Sequence, residues 1–184
     1  MNKPAAFIDR DGTLVEEVNF LSRIEDLRVF PFAAEALRLL SDAGFHIVVV
    51  TNQSGIGRGL YTEADMHAIH LEMQRELGGL IDAFYFCPHL PDAGCRCRKP
   101  NLGMIETAAK DLSIDLANSV MIGDKALDVE TGFNGGFLTA MVRTGYGVKD
   151  AGKLNARPDV IADDLLEAVR RLLDGGPLIN STVA

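Results

Sequence analysis

No apolar stretch of this chain approaches the about eighteen residues that a membrane-spanning helix needs. Met1-Asn2-Lys3-Pro4 runs into a short strand pattern instead of a secretory leader, so a cytoplasmic protein is expected. Basic side chains are in deficit: 18 Lys and Arg face 26 Asp and Glu, a formal net charge of −8. That balance excludes a nucleic-acid coat or an anionic membrane surface as the main partner. Cysteine is scarce and odd in number, with Cys87, Cys95 and Cys97 alone. Three clustered thiols make a poor disulfide framework, in keeping with a reducing compartment. Internal repeats, low-complexity segments and a frank apolar dimer stripe are also missing, so a monomer is expected.

What is present suffices for one full core: 184 residues, 47% of them hydrophobic. One domain is expected over residues 1–175, with residues 176–184, beyond the Gly175-Gly176-Pro177 break, as a flexible tail. Ala5 to Ile8, His46 to Val50, Ala83 to Phe86, Ser119 to Ile122 and Thr139 to Val142 read as buried parallel strands. Helical periodicity separates them, over Phe32 to Ala43, Thr62 to Leu77, the stretches after Pro100 and Asp124, and about Asp163 to Leu173. Strand and helix in alternation imply an α/β fold, a three-layer doubly wound parallel sheet.

In such sheets ligands lie at the carboxyl ends of the strands, and each strand here ends in reactive residues. After the first come Asp9-Arg10-Asp11-Gly12-Thr13. Two carboxylates one residue apart can share one phosphorus, Asp9 attacking it and Asp11 moving the protons. After the second, Thr51-Asn52-Gln53-Ser54-Gly55-Ile56-Gly57-Arg58-Gly59 offers hydroxyls, amides and backbone N–H groups for phosphate oxygens. After the fourth, Asp124 could cap the next helix or bind a cation, and charge favours the cation. Asp9, Asp11 and Asp124 crowded at one sheet edge would repel one another without a positive ion, and oxygen ligands beside a phosphate suit Mg²⁺.

The third strand leads into Cys87-Pro88-His89, five residues, then Cys95-Arg96-Cys97-Arg98-Lys99-Pro100. Three thiolates and one imidazole in eleven residues make a closed, structural zinc site. Zinc binding would offset the entropy of ordering a loop that has no core of its own. The loop delivers Lys99 as a fixed positive charge, with Pro100 expected as the first helical residue.

With Asp9-x-Asp11-Gly12-Thr13, Thr51-Asn52, Lys99 and Gly123-Asp124-x-x-x-Asp128 in this order, the chain resembles a phosphatase of the haloacid dehalogenase superfamily over nearly its whole length. The resemblance implies Asp9 as nucleophile, Asp11 as acid and base, and Thr51 and Lys99 as stabilisers of the phosphoryl group. It implies Mg²⁺ on Asp9, Asp124 and the backbone carbonyl of Asp11. Glu17, Val18, Asn19 and Phe20, then Asn52, Gln53 and Ser54, correspond to substrate contacts in the family, joined by Arg98 and by Lys125 and Arg58 near the ligand. No large cap domain is implied. The Cys/His insertion and the Thr51 to Gly55 loop are similar to those of members acting on a heptose 1,7-bisphosphate, a phosphosugar, within surface-glycan and lipopolysaccharide biosynthesis. Histidinol-phosphate phosphatases share the short gap between His89 and Cys95. Ser54 favours the sugar, since the histidinol relatives tend to carry Asp there. Two other classes compete. A phosphoacceptor signalling domain would need a long-lived aspartyl phosphate, which Asp11 would shorten. A zinc-based nucleic-acid module could use Arg96, Arg98 and Lys99, but net acidity and the lack of interleaved aromatics oppose it.

Overall fold

The computed structural model describes residues 2–174, so the expected tail lies outside the described residues. Six parallel strands form one sheet, β1 (Ala5–Ile8), β2 (His46–Asn52), β3 (Ala83–Cys87), β4 (Val120–Gly123), β5 (Leu138–Val142) and β6 (Val160–Ala162). Their spatial order is β3-β2-β1-β4-β5-β6, which puts β1 in the middle and the reversal of winding between β1 and β4. Register is pinned by apolar pairs: Phe7 of β1 lies opposite Val48 on one side and Met121 on the other.

Period-two alternation divides the strands between two cores. Ala6, Ile8, Ile47, Val49, Val120 and Ile122 face one, and Ala5, Phe7, Val48, Val50 and Met121 face the other. The first core is closed by α1 (Ala33–Asp42), α3 (Glu63–Glu76) and α6 (Leu165–Leu173), which contribute Leu37 and Leu40, Ile69 and Met73, and Val169 and Leu172. The second is closed by α4 (Gly103–Leu112) through Met104, Ile105 and Ala108. Both faces of the sheet are therefore covered, which is why its strands read as continuous apolar runs.

Local signals set most boundaries. Thr62 caps α3 by accepting from the Asp65 N–H at 3.2 Å, while the Asp65 carboxylate takes the Thr62 N–H at 2.8 Å, a reciprocal capping box. Gly44, at φ +86°, follows α1 and turns the chain toward β2. Four features differ from the sequence expectation. β2 runs two residues further, so Thr51 and Asn52 close the strand instead of following it. The glycine-rich stretch after it contains one helical turn, α2 (Ser54–Gly57). β6 is an additional edge strand of three residues. Pro100 is not the first residue of α4, which starts at Gly103, because residues 98–102 form a turn locked by the Gly103 N–H on the Arg96 carbonyl at 3.0 Å. Between β1 and α1 there is only a 3-10 turn, Ile24–Asp26, and no cap domain occurs among the described residues.

Candidate active site

The carboxyl ends of β1, β2 and β4 meet at a cavity of about 230 Å³. Asp9 leaves β1 buried, and its Oδ1 stands 3.0 Å from the Lys99 ammonium. Lys99 is itself buried, with Nζ also 2.7 Å from Asp128 and donating to the Val50 carbonyl at 2.8 Å. Two carboxylates and one carbonyl therefore surround the ammonium. Burial would lower the Lys99 pKa, but Asp128 and Asp9 outweigh it and hold the amine above its ordinary value. Burial likewise pushes Asp9 up, and Lys99 and Lys125 overcome it, so Asp9 lies below the usual carboxylate range. It is an anion at neutral pH.

Asp124 has the opposite balance. It is buried, and burial with the neighbouring Asp9 and Asp128 charges pushes it up to about 8 despite Lys125. One oxygen accepts the Tyr146 N–H at 2.7 Å, while the other, Oδ1, is buried without a partner. The capping alternative for Asp124 fails, because α5 (Ala126–Gly135) is preceded by Lys125, whose N–H donates to Asp128 at 3.0 Å. Carboxylate oxygens of Asp9, Asp124 and Asp128 lie within 4.8 Å of one another. A costly crowd of buried anions with an orphaned oxygen fits a divalent cation with oxygen ligands.

Glycines cradle that carboxylate. Gly12, at φ +82°, is where a Cβ would stand 2.2 Å from Asp124 Oδ2, and Gly145, at φ +55°, would place one equally close from the other side. Gly12→Ala should therefore displace Asp124 and strain a left-handed backbone, costing both thermal stability and activity. A melting temperature and kcat within error of the parent would contradict that packing.

The remaining expected residues divide into three groups. Glu17, Asn19, Phe20, Ser54, Arg98 and Lys125 line the cavity. Lys125 lies 3.4 Å from Glu17 and 5.1 Å from the centroid of the Tyr146 ring, and Asn19 accepts from the Tyr146 hydroxyl at 3.0 Å. Asn19 and Phe20 both carry positive φ, 52° and 62°, an uncommon conformation for residues with a Cβ, held at the cavity rim. Asn52, Gln53 and Thr51 also reach the cavity wall, but their polar atoms are engaged by protein. The Asn52 amide grips the Lys99 backbone, accepting its N–H at 3.1 Å and donating to its carbonyl at 3.2 Å. The Gln53 amide donates to the Thr51 hydroxyl at 2.8 Å and to Asp11 at 2.9 Å. Val18 and Arg58 stand outside the lining, and Arg58 instead places its guanidinium 5.8 Å from the centroid of the Phe20 ring. Arg10, Tyr61 and Tyr146 line the cavity without having been expected there. Tyr146 follows β5, so the carboxyl-end rule reached it in principle, whereas its sequence context carries no motif.

Beside the cavity the four soft donors converge. Cys87, Cys95 and Cys97 sulfurs are 3.2 to 3.5 Å apart, and His89 Nδ1 is 3.5 Å from Cys87 and 3.2 Å from Cys97. All three are free thiols. Burial pushes Cys87 up to about 12; burial also opposes ionisation of Cys95, but the Arg98 N–H and the adjacent thiols bring it down to about 7. The cluster is tied to the site at both ends. The Cys87 carbonyl accepts the Gln53 N–H at 2.8 Å, and the Pro88 carbonyl accepts the Gly57 N–H at 3.0 Å, where a Cβ on Gly57 would approach within 2.6 Å. At the other end Asn101 donates to the Cys95 carbonyl at 2.8 Å, beside Lys99.

Comparison with known proteins agrees with this geometry. The HAD-hydrolase-like family model matches residues 96–168. A D-glycero-D-manno-heptose-1,7-bisphosphate 7-phosphatase of Thermosynechococcus vestitus is 41% identical over 186 residues, 92% of this chain and 95% of that protein. The D-glycero-beta-D-manno-heptose-1,7-bisphosphate 7-phosphatase of Haemophilus ducreyi is 37% identical over 180 residues, 92% of this chain and 98% of that protein. The crystal structure of the D,D-heptose 1,7-bisphosphate phosphatase of B. bronchiseptica, complexed with magnesium and phosphate, superposes with a TM-score of 0.86 at 32% identity, over 93% of this chain and 98% of that one. Sharing that fold and that level of identity across nearly its whole length, this chain belongs to the heptose-1,7-bisphosphate phosphatase family of haloacid dehalogenase-like hydrolases.

Proposed function

We propose that this protein removes the C7 phosphate of D-glycero-D-manno-heptose 1,7-bisphosphate through an aspartyl phosphate on Asp9. The observation that carries it is the burial of an anionic Asp9 against Lys99 at the floor of the cavity, with Asp11 two residues on at its edge. Asp9 attacks phosphorus in line and the ester bond breaks as Asp11 protonates the departing sugar oxygen. Asp11, now ionised, takes a proton from water as the water oxygen attacks the same phosphorus and the Asp9–phosphorus bond breaks. Lys99 stays charged throughout, and Thr51 completes the phosphate-facing wall. Asp9, Asp124 and the backbone carbonyl of Asp11 would hold Mg²⁺, with Asp128 tied instead to Lys99. When bound, the ion supplies positive charge against the phosphoryl oxygens. Glu17, Asn19, Phe20, Ser54, Arg98 and Lys125 meet the sugar and its second phosphate.

The Cys/His cluster is proposed as a structural zinc site, with Cys87, His89, Cys95 and Cys97 as ligands. Zinc–sulfur bonds of about 2.3 Å span a tetrahedron with edges of about 3.7 Å, close to the sulfur separations here. Its task is to hold the Arg98-Lys99 turn. Elemental analysis of protein purified without added zinc should find about one equivalent per chain, and stripping it should lower thermal stability and kcat together. A folded, fully active, zinc-free protein would show that the cluster is not a zinc site. A cytoplasmic monomer serving heptose-containing glycan synthesis completes the proposal.

The test of the substrate is phosphate release with Mg²⁺ present, comparing both anomers of the heptose bisphosphate with histidinol phosphate at equal concentration. A heptose kcat/KM at least about tenfold higher is expected, since one such factor needs only about 1.4 kcal/mol of differential transition-state binding. Preference for histidinol phosphate would keep the mechanism and overturn the substrate.

A further inference from the structure

The guanidinium of Arg10 is a charge that the phosphatase chemistry leaves unemployed. Its side chain is 1% exposed, against 15% for Asp11, its partner. Nε and Nη2 of Arg10 both donate to the Asp11 carboxylate, at 2.9 to 3.2 Å, so the two oxygens are held in a forked clamp. Nη2 donates further to Gln53 Oε1 at 3.0 Å, and Nη1 lies 3.2 Å from His70 Nε2.

Gln53 has no freedom to turn. Its Oε1 accepts from Arg10 and from the Tyr61 hydroxyl at 2.5 Å, and its Nε2 donates to Asp11 Oδ2 and Thr51, so both lone pairs and both protons are used. Rotating the amide would set N–H groups against Arg10 and Tyr61. The Tyr61 ring is fixed in turn by Gly55, where a Cβ would come within 2.1 Å of it. His70, buried and stacked on Phe84 with ring centroids 4.4 Å apart, must offer a lone pair to Arg10 and is therefore the neutral Nδ1–H tautomer. A carboxylate at position 70 would compete with Asp11 for Arg10; a neutral imidazole satisfies the third nitrogen without doing so.

We propose that Arg10, Gln53, Tyr61 and His70 are positioning residues that aim the Asp11 carboxylate, and so govern both proton transfers, to the sugar oxygen and from water, and not the nucleophilicity of Asp9. This rests on Asp9 as nucleophile and Asp11 as acid and base. Arg10 and Gln53 bond to Asp11, and His70 and Tyr61 bond to those two, so together they fix the group that gives the sugar oxygen its proton and takes one from water. A loosened Asp11 leaves Asp9 and Lys99 in place, so the first step survives wherever the leaving group needs no proton.

The experiment uses p-nitrophenyl phosphate, whose phenolate departs unprotonated, alongside the heptose bisphosphate. In rapid mixing with Mg²⁺, His70→Leu should release about one nitrophenolate per chain in a fast burst and then turn over at least tenfold more slowly than the parent, with heptose bisphosphate turnover reduced more strongly. His70→Gln, which restores an acceptor for Arg10, should recover most of the second phase. Tyr61→Phe, which deletes one hydroxyl, should show the same split more weakly and serves if His70→Leu does not fold. Equal loss in burst and steady state on both substrates would mean a structural role only and overturn the proposal, as would parental kinetics in both variants. Asp11→Asn run in parallel separates the two levels. Its stalling after the burst while the His70 and Tyr61 variants behave as the parent would defeat the clamp alone; its full turnover would defeat the assignment of Asp11.

Discussion

Asp9→Asn should lower kcat by at least about 10³-fold, the scale on which loss of a covalent nucleophile acts, while leaving the melting temperature within a few degrees. The amide oxygen can still accept from Lys99 and from the Arg10 N–H, which donates to Asp9 at 2.9 Å, so the local hydrogen bonds persist. Removing the Asp9 charge from this buried group of three carboxylates also relieves the repulsion that helps push Asp124 and Asp128 up. Phosphate affinity should be retained or improved for the same reason. The check pairs phosphate release with equilibrium phosphate binding in one preparation. Turnover above about one part in ten of the parent would remove Asp9 from the nucleophile role, because no positioning contact alone carries the whole reaction.

Lys99→Met should damage both the fold and the chemistry. The side chain is nearly isosteric but leaves Asp9 and Asp128 without their shared cation, and breaking a buried pair from one side costs about 3 to 5 kcal/mol. The Val50 carbonyl also loses its donor. Protonation of Asp128 would recover part of this, so the loss in urea midpoint should be larger at pH 8 than at pH 5. The sign follows from where the charge is costly: burial already holds Asp128 above the usual carboxylate range despite Lys99, and without Lys99 its pKa rises further, so raising the pH exposes the penalty. The kcat should fall by about 10²-fold or more, as for the loss of one preorganised charge at a developing anion. An urea midpoint and kcat both close to the parent would show that Lys99 is not the fixed charge of the site.

Much of the fold was legible because its signals are local. Each of β1 to β5 is an apolar run stopped by residues that cannot continue a buried strand, and α1 and α3 carry an apolar face and a recognisable end or cap. β6 was missed because three residues, Val160 to Ala162, after Pro158, give too short a pattern to count. The start of α4 was misplaced because Pro100 tolerates a helix N-terminus but does not require one; the hydrogen bond that fixes the turn links Gly103 to Arg96 and depends on the Cys/His loop. At the site, Asp9, Asp11, Thr51, Lys99 and Asp124 stood at strand ends or beside unusual composition, so the carboxyl-end rule gathered them. Arg10, two residues past the end of β1, and His70, on α3, lie sixty positions apart and meet only because α3 packs against the sheet beside the end of β1. Nothing in either neighbourhood marks the pair. Gln53 was expected to meet substrate and does line the cavity, but nothing in its sequence context signals that its amide is also held by Arg10, Asp11, Thr51 and Tyr61.

The heptose bisphosphate should lose its phosphate at C7 and keep the one at the anomeric carbon. Following heptose 1,7-bisphosphate by phosphorus NMR with Mg²⁺ and the purified protein reads this directly. The C7 monoester signal should disappear as inorganic phosphate grows in equal amount, with the anomeric phosphate signal intact. Loss of the anomeric signal, or no release while the protein is folded and loaded with metal, would contradict it.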